Sequence, residues 1–446
     1  MQNTIFTSAR NHRGACQIWI GGGKLESLGW SIGERYNLEA GQELLKLSKD
    51  PEGAYKVSKS KGKPVIDLTA KKLANTFEIG TRVIVLLSND EILIKRHHED
   101  IDRDNRETRL FENMHKGELT HASLFTGGGI STEAIHQACI DSGLKSKTAF
   151  ICESVVKYSD SALQNCISID TDTVLLSGPV EEMQQAFFSP VDILSFSMPC
   201  AGHSKAGRSK HKLTPEQHEG ATALFGVYNA LKVSNPSIVI SENVTSARNS
   251  AAYDLLKAEL LRRGYYIAEQ DLNSEHTDSI ENRSRYWLVA VSAGILSSPF
   301  ALNIPGCARS GRTINSILDN VIPDSAWSEN QYLKDKSERD AKQGKGFASR
   351  QLLNGSETNC GTIGRFYNKR RSTEPFLARA DGKERLLTPA EHARVKSIPE
   401  YLIAGQCATT AHEILGQSVD YRQPYLVMLE LLKIVKQATG RGARAA

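Results

Sequence analysis

From His121 onward, the chain alternates short apolar segments with segments of helical periodicity. ASLFTGG precedes ISTEAIHQACIDSG, in which Ile130, Ala134 and Ala138 share one helical face, and TAFICES, PSIVISENV and SRYWLVAVSA follow later. Strands that alternate with helices in this way build a mostly parallel sheet with helices on both faces. The alternation therefore predicts an α/β fold with a Rossmann-like sheet for this part of the chain.

Length and charge set looser limits on the protein. A chain of 446 residues exceeds one average domain, so two or three domains are expected. The 55 basic and 51 acidic residues leave a formal net charge of only +4, which allows a nucleic-acid partner without requiring one. No segment resembles a secretory signal or approaches the roughly 20 apolar residues of a membrane span, so we expect no membrane partner and a cytoplasmic location.

The eight cysteines argue against two kinds of site. They are spread along the chain and never form a C-x-x-C pair, so neither a disulfide framework nor a metal site is expected. Cys200 needs a separate explanation, because it follows an apolar segment from Val191 to Met198 and then Pro199, which cannot extend a central strand. It therefore lies just past a predicted strand, in a loop of small and basic residues.

The first hundred residues contain an internal repeat. Its copies are IWIGGGKLESLGWSIGERYNLE and IDLTAKKLANTFEIGTRVIVLL, and each predicts a strand, a short helical turn, a glycine turn and a second strand. The matched pairs are Ile18 and Ile66, Ile20 and Leu68, Leu25 and Leu73, Trp30 and Phe77, Ile32 and Ile79, Gly33 and Gly80, and Arg35 and Arg82. The pattern resembles the small swapped-hairpin barrels of AbrB-like and SymE-like proteins, which implies a duplicated β-barrel domain over residues 1–100.

Two functions stay open for this N-terminal domain. The lysine-rich segment YKVSKSKGKP between the copies suits a loop that faces DNA phosphates, whereas a barrel used only for oligomerisation is the alternative. Residues 97–118 are densely charged, which favours a linker or an exposed helix. We assign the linker to residues 101–118.

Two features predict a nucleoside site. LFTGGGIS, residues 124–131, ends a strand, turns through three glycines and opens a helix, so its backbone can approach a ligand closely. The next predicted strand ends at Glu153, where a carboxylate can accept hydrogen bonds from two ribose hydroxyls. A purely structural tight turn is the alternative for the glycines.

Reactive and charged side chains follow other predicted strands. Cys200 follows one strand, and Glu242 ends the apolar strand of PSIVISENV. Arg283 and Arg285 stand two apart at the start of another strand. The carboxyl ends of parallel strands face one crevice, where ligands bind, and a cysteine there can act as a nucleophile. The structural alternatives are a buried thiol, a salt-bridged carboxylate and a solvated arginine pair.

Taken in order, FTGGG, ES, PC, ENV and RSR, followed by ERLLTPAEHARVKSIPEYL and LGQSVDYRQPYLVMLELL, resemble the motifs of the cytosine-5 DNA methyltransferases over about residues 121–436. The resemblance implies a Rossmann-like methyltransferase sheet that binds S-adenosylmethionine. The implied catalytic residues are Cys200, Glu242, Arg283 and Arg285, and the implied cofactor-binding residues are Phe125, Gly127, Gly129, Glu153, Pro199, Ser418 and Val419.

The resemblance also implies a mechanism. Cys200 as a thiolate would add to carbon 6 of a cytosine that has left the duplex, and Glu242 would hold the base. Arg285 would contact the base carbonyl or a phosphate, and Arg283 would brace the loop that carries the cysteine. Five positions depart from the family pattern and bear on the geometry of cofactor binding: Ile130, Pro179, Ala201, Glu281 and Gln417.

The resemblance divides the rest of the chain. Residues 119–294 are expected to form the catalytic domain, residues 295–360 a short target-recognition region, and residues 361–446 the returning part of the catalytic domain with the closing cofactor motif. We expect double-stranded DNA as the partner, within restriction-modification, and a cognate nuclease is a further candidate. Two alternatives stay open: a cytosine-5 methyltransferase of transfer RNA, and a DNA-binding regulator with an inactive methyltransferase domain.

Overall fold

The computed structural model describes residues 2–41, 43–69, 73, 76–200, 214–344 and 351–442. The chain divides into two compact units, residues 1–105 and residues 106–446. No helix in the described part of the chain has both the length and the apolar character that a bilayer crossing needs.

The first unit contains two antiparallel sheets. Its elements are β1 Asn3–Ser8, β2 Arg10–His12, β3 Ala15–Gly21, α1 Gly23–Ser27, β4 Arg35–Ala40, β5 Leu44–Lys49, β6 Tyr55–Lys56, β7 Ser58–Ser60, β8 Lys63–Thr69, β9 Arg82–Leu87 and β10 Glu91–Arg96. One sheet has the order β1-β9-β10-β5-β4-β6, and the other has the order β2-β3-β8-β7. Both sheets are open among the described residues, so the expected closed barrel is not confirmed.

The strand registers show that the repeat is a structural duplication. In the β3·β8 pair, Ile18 lies opposite Leu68 and Ile20 lies opposite Ile66, so positions that match in the repeat pair crosswise. Such a register requires a local two-fold axis between the copies. β5 and β10, which follow the two copies at corresponding positions, pair in the same way, with Leu45 opposite Ile94 and Leu47 opposite Ile92.

The two copies also share their turns and their core. The β2–β3 hairpin turns at Arg13 and Gly14 with φ of 52° and 83°, and the β7–β8 hairpin turns at Lys61 and Gly62 with φ of 47° and 81°. Two consecutive positive φ angles define the type I′ turn that suits a two-residue hairpin. Trp30 and its match Phe77 are both buried, whereas the matched Ile32 and Ile79 are both exposed.

Helix α2, His98–Lys116, occupies the densely charged segment. Many of its charged side chains are paired. Glu99 and Asp100, in the part of the helix that belongs to the first unit, form ion pairs with Arg82 at 3.0 Å and 2.6 Å. In the second unit, Arg106 is 1% exposed and donates to Ser292 Oγ at 2.8 Å. The segment expected as a linker or an exposed helix is therefore a helix in which Glu99, Asp100 and Arg106 are buried and paired.

The second unit is built on a seven-stranded sheet of order β13-β12-β11-β14-β15-β17-β16. Its strands are β11 Glu118–Leu124, β12 Lys145–Glu153, β13 Val174–Ser177, β14 Ile193–Phe196, β15 Ile238–Asn243, β16 Tyr265–Leu272 and β17 Arg285–Ser292. The pairs among β11 to β15 are parallel, and β17 runs antiparallel to both of its neighbours. The predicted α/β fold with a mostly parallel sheet is confirmed.

Helices cover both faces of this sheet. Beyond α2, the helices of the second unit are α3 Ile130–Asp141, α4 Val156–Asn165, α5 Ala223–Ser234, α6 Ala251–Arg262, α7 Ser274–Thr277, α8 Gln331–Lys342, α9 Pro389–Val395, α10 Ala408–Gln417 and α11 Arg422–Gly442. Leu288 of β17 belongs to one apolar cluster with Leu256 of α6, and Val289 belongs to another with Ile135 of α3. Since adjacent residues of a strand point to opposite faces, both faces are buried.

A small three-stranded sheet follows the large one in sequence. It consists of β18 Leu352–Leu353, β19 Phe376–Ala378 and β20 Glu384–Arg385. Within the expected target-recognition region, residues 331–342 form α8, while residues 345–350 lie outside the described residues.

Candidate active site

The glycine turn joins β11 to α3. Phe125, Gly127 and Gly129 all have positive φ, at 56°, 56° and 79°. A Cβ on Gly129 would lie 2.3 Å from the sulfur of Cys166, so packing against α4 requires a glycine there. A Cβ on Gly127 would meet no atom within 4 Å. The loop is therefore tightly packed at one glycine and open at another, where a ligand can reach the backbone.

Glu153 at the end of β12 is bound to this loop. Its Oε2 accepts a hydrogen bond from the Gly127 amide at 2.8 Å, and its Oε1 accepts one from the Val155 amide at 2.8 Å. The residue is only 8% exposed. Because a carboxylate oxygen can accept more than one hydrogen bond, both oxygens keep the capacity to accept from ribose hydroxyls.

A pocket at the carboxyl edge of the sheet connects the glycine loop with Glu242. The residues that line it come from β11, β14, β15 and β17 and from α3 and α11, and include Phe125, Thr126, Ser131, Ser197, Glu242 and Trp287. The sequence expectation that these strand ends face one crevice is confirmed for the loop and for Glu242.

Cys200 is exposed. It lies two residues after Met198, which is hydrogen-bonded to the end of β15. The Asn243 side chain donates to the Met198 carbonyl at 3.0 Å, and the Ser197 hydroxyl donates to the Glu242 carbonyl at 3.1 Å and to its carboxylate. These bonds fix the chain that leads into Pro199 and Cys200. Residues 201–213, including Ala201, lie outside the described residues.

Glu242 and Arg285 form an ion pair. Arg285 Nε lies 2.8 Å from Glu242 Oε1, and the two side chains are 12% and 13% exposed. A charge-assisted contact in such a shielded place orients both groups strongly. The structure thus joins two predicted catalytic residues directly, and Arg285 also donates to the Ser284 carbonyl.

Arg283 holds the segments that lead to the closing motif. It is 5% exposed and donates to the carbonyls of Ile363, Gly416 and Gln417 at 3.1 to 3.3 Å. Burial and the neighbouring charge of Arg285 lower the pKa of Arg283 to about 10, so it is charged at neutral pH. The cysteine loop that it was expected to brace extends beyond the described residues.

Ser418 and Val419 of the closing motif have structural partners in the described chain. The Ser418 hydroxyl donates to the Ile414 carbonyl at 2.8 Å, and Val419 is buried in the apolar cluster that contains α11. A Cβ on Gly128 would lie 2.4 Å from Ile414. The helix before the motif therefore packs directly on the glycine loop.

One buried ion pair near the site was missed by sequence reasoning. Lys396 Nζ lies 2.7 Å from Glu281 Oε2, and both side chains are fully buried. Lys396 also donates to the Ser418 carbonyl at 3.2 Å. Burial and the charge of Arg283 lower the pKa of Lys396 to about 7. Glu281 stood out as a departure, but nothing in the sequence pointed to a partner so far along the chain.

Comparisons with known sequences identify a family for this chain. A family model described as C-5 cytosine-specific DNA methylase matches residues 123–423. The type II methyltransferase M1.ScrFI of Lactococcus lactis subsp. cremoris is 22% identical over 385 residues, which cover 84% of this chain and 94% of the relative. The type II methyltransferase M.DsaV of Dactylococcopsis salina is 25% identical over 236 residues, which cover 51% of this chain and 65% of the relative.

Solved structures share the fold. The Dnmt2 methyltransferase of S. pombe superimposes with a TM-score of 0.55 and 17% identity, covering 72% of this chain and 99% of that one. The methyltransferase EhMeth of Entamoeba histolytica gives a TM-score of 0.55 and 15% identity, with the same coverage.

Proposed function

The chain belongs to the C-5 cytosine-specific DNA methylase family, and from this premise we propose which residues perform its chemistry. The reaction is the S-adenosylmethionine-dependent transfer of a methyl group to carbon 5 of cytosine in DNA. The observation that supports the assignment is the order at the sheet edge: Cys200 follows β14, and the neighbouring parallel strand β15 carries Glu242, which is paired with Arg285.

The glycine loop and Glu153 fit the cofactor. Gly127 offers an open backbone, and the fixed carboxylate of Glu153 can accept from ribose hydroxyls. Phe125, Gly129, Pro199, Ser418 and Val419 are proposed to complete the site. When bound, the cofactor supplies a methyl group on a sulfonium, an electrophile that carbon 5 of an unactivated cytosine is too weak to attack.

Cys200 is proposed to supply that activation. Its thiolate forms a bond to carbon 6 of the ring, and the electron pair of the 5,6 double bond moves so that carbon 5 becomes nucleophilic. After methyl transfer, loss of the proton on carbon 5 restores the double bond and expels the thiolate. Because carbon 6 is inaccessible within a duplex, the base is flipped out at a cost of a few kcal/mol.

Glu242 is proposed to hold the flipped base. Its carboxyl group accepts a hydrogen bond from the exocyclic amine, and in its protonated form it donates to ring nitrogen 3, which gains electron density as the thiolate adds. Arg285, paired with it at 2.8 Å, orients the carboxyl group and reaches toward the base carbonyl or a phosphate. Arg283 is proposed as a positioning residue that secures the segments around the closing motif.

The N-terminal unit is proposed to hold duplex DNA, as an AbrB-like or SymE-like module would. Its support is the two-fold duplication and the exposed cations at both hairpin tips, which are Arg10, Arg13, Lys59, Lys61 and Lys63. A role in oligomerisation is the alternative. A cytoplasmic location and a cognate nuclease stay predictions.

Bisulfite sequencing tests the proposal. DNA from cells that express the protein should contain cytosines protected at one fixed sequence, and the Cys200→Ala variant should protect none. If the DNA is unmodified while folded transfer RNA is methylated at cytosine, the DNA substrate is wrong. If neither is modified, the chain is a regulator without turnover.

A further inference from the structure

Three cations surround one aromatic ring in the segment between the β17 region and the closing motif. The Arg365 guanidinium, the Lys369 ammonium and the Arg371 guanidinium lie 5.3, 4.8 and 4.8 Å from the centroid of Phe366. Such contacts orient cations over a ring face. We call Arg365, Phe366, Lys369 and Arg371 the Phe366 cluster.

The cluster carries a net positive charge. Within the described ranges, no acidic side chain forms an ion pair with any of its three cations. Glu374 is the acidic residue that follows, and it is 5% exposed. Burial raises the pKa of Glu374 to about 7, against the opposing charge of Arg371. It is therefore only partly ionised at neutral pH and offsets only part of the charge of Arg371.

The cluster is connected to the proposed active site by packing. Ile363, two residues before Arg365, accepts a hydrogen bond from Arg283 at 3.3 Å. A Cβ on Gly416 would lie 2.3 Å from the Gly364 carbonyl oxygen, so the segment lies against the backbone just before the closing motif. Lys369 and Arg371 are themselves exposed and can meet a ligand without a large desolvation cost.

We propose that Lys369 and Arg371 bind phosphates of the duplex beside the flipped cytosine, an inference that rests on the proposed function. Lys369 and Arg371 have no ion-pair partner within the part of the chain that the structure describes, and the phosphodiester backbone of the substrate can supply one. Phosphate contacts fix register and orientation and carry no sequence information. The Phe366 cluster therefore holds the duplex while other residues read the bases.

The test compares the salt dependence of duplex binding for the full chain and for Lys369→Gln/Arg371→Gln. Each lost phosphate contact lowers the slope of log affinity against log salt by about 0.9, so the double variant should lose about 1.8. Between 50 and 200 mM salt, the affinity of the unaltered protein should fall roughly tenfold more than that of the variant.

Arg379→Gln is the matched control. Arg379 lies over the ring of Trp327 at 4.9 Å, but its charge is already paired with Asp324 at 2.7 Å and Asp381 at 2.6 Å. Its substitution should leave the slope unchanged. Affinity for S-adenosylmethionine and the melting temperature should match the unaltered protein in all variants, which verifies folding.

An unchanged slope in the double variant would overturn the inference, and so would an equal loss in Arg379→Gln. The methylated sequence should stay the same in the double variant, and a changed sequence would contradict a phosphate-only role. The proposed function fails separately, because its failure appears as an unaltered protein that methylates no DNA.

Discussion

The two units of the chain arrange their functional side chains in opposite ways. In residues 106–446, the thiol, the carboxylates and the glycine turn follow different strands of one sheet, and the glycine turn and Glu242 line one pocket at its edge. In residues 1–105, the exposed cations stand on two hairpins that repeat the same turn, at Arg13 and at Lys61. A parallel sheet concentrates different groups in one place, whereas an antiparallel duplication presents similar groups twice.

This difference has a physical cause. Parallel strands all end at the same edge, so each connecting loop can deliver a different side chain to one crevice. Antiparallel strands related by a local two-fold axis place equivalent turns at opposite ends of the pair. The first arrangement suits covalent chemistry at one atom, and the second suits a ligand with its own repeated or two-fold character, such as duplex DNA.

The strongest test of the single-edge arrangement is Cys200→Ala. Removing the thiol removes the addition step, so turnover should fall by at least about 10³, or about 4 kcal/mol of barrier. Affinities for DNA and for S-adenosylmethionine should persist in binding assays. Cys407→Ala is the control, since Cys407 is also exposed and lies outside the proposed site. Methyl transfer at a tenth of the normal rate in Cys200→Ala would refute the covalent mechanism.

Glu153→Ala tests the cofactor half of the same edge. Loss of a charge-assisted hydrogen bond to the ribose should weaken S-adenosylmethionine binding by about 1 to 3 kcal/mol, measured by calorimetry. Glu182→Ala is the matched control, because Glu182 is an exposed acidic residue of the same unit. Equal affinities of the two variants for S-adenosylmethionine would show that the ribose is bound elsewhere.

Paired hairpin variants test the duplicated arrangement. Arg10→Gln/Arg13→Gln and Lys59→Gln/Lys61→Gln should each reduce the salt slope of duplex binding by up to about 1.8. The internal symmetry predicts similar losses for the two hairpins. Lys46→Gln should change nothing, since Lys46 is paired with Glu91 at 3.1 Å. A reduced salt slope in only one of the two double variants would show that only one hairpin contacts the duplex.

The smallest expected effect concerns two carboxyl groups with opposite pH behaviour. Burial raises the pKa of Glu374 to about 7, so between roughly pH 4.5 and 7 the folded protein holds a proton that the unfolded chain releases, and stability falls as pH rises. Glu374→Gln removes this loss. Its stability relative to the unaltered protein should therefore rise through that range, by on the order of 1 kcal/mol.

Asp100 of the first unit is the counterpart. Burial favours its protonated form, but the hydrogen bonds and charge of Arg82 prevail and lower its pKa. Its contribution to stability is therefore lost as pH falls, and Asp100→Asn should lose stability relative to the unaltered protein as pH rises through the acidic range. Denaturant unfolding across pH measures both. If the stabilities of Glu374→Gln and Asp100→Asn relative to the unaltered protein change in the same direction with pH, the opposite pKa shifts are contradicted.

Much of the second unit could be predicted from local patterns. Strand and helix periods are short-range properties, so the glycine turn, the ends of β12 and β15 and the alternating sheet were all visible in the sequence. The repeat likewise predicted the duplication that the crosswise pairing of Ile18 with Leu68 displays. The repeat alone did not establish a closed barrel, since closure depends on whether the strands at the two edges of a sheet pair with each other.

The sequence by itself determined which chemical groups follow which strands, because strand order and side-chain alternation are encoded within a few residues. Only the tertiary structure decided that Lys396 pairs with Glu281, that Arg106 is buried, and that Phe366 gathers three cations. Whether a charge is solvated, paired or poised for a ligand depends on groups that lie far apart along the chain, and folding alone brings those groups together.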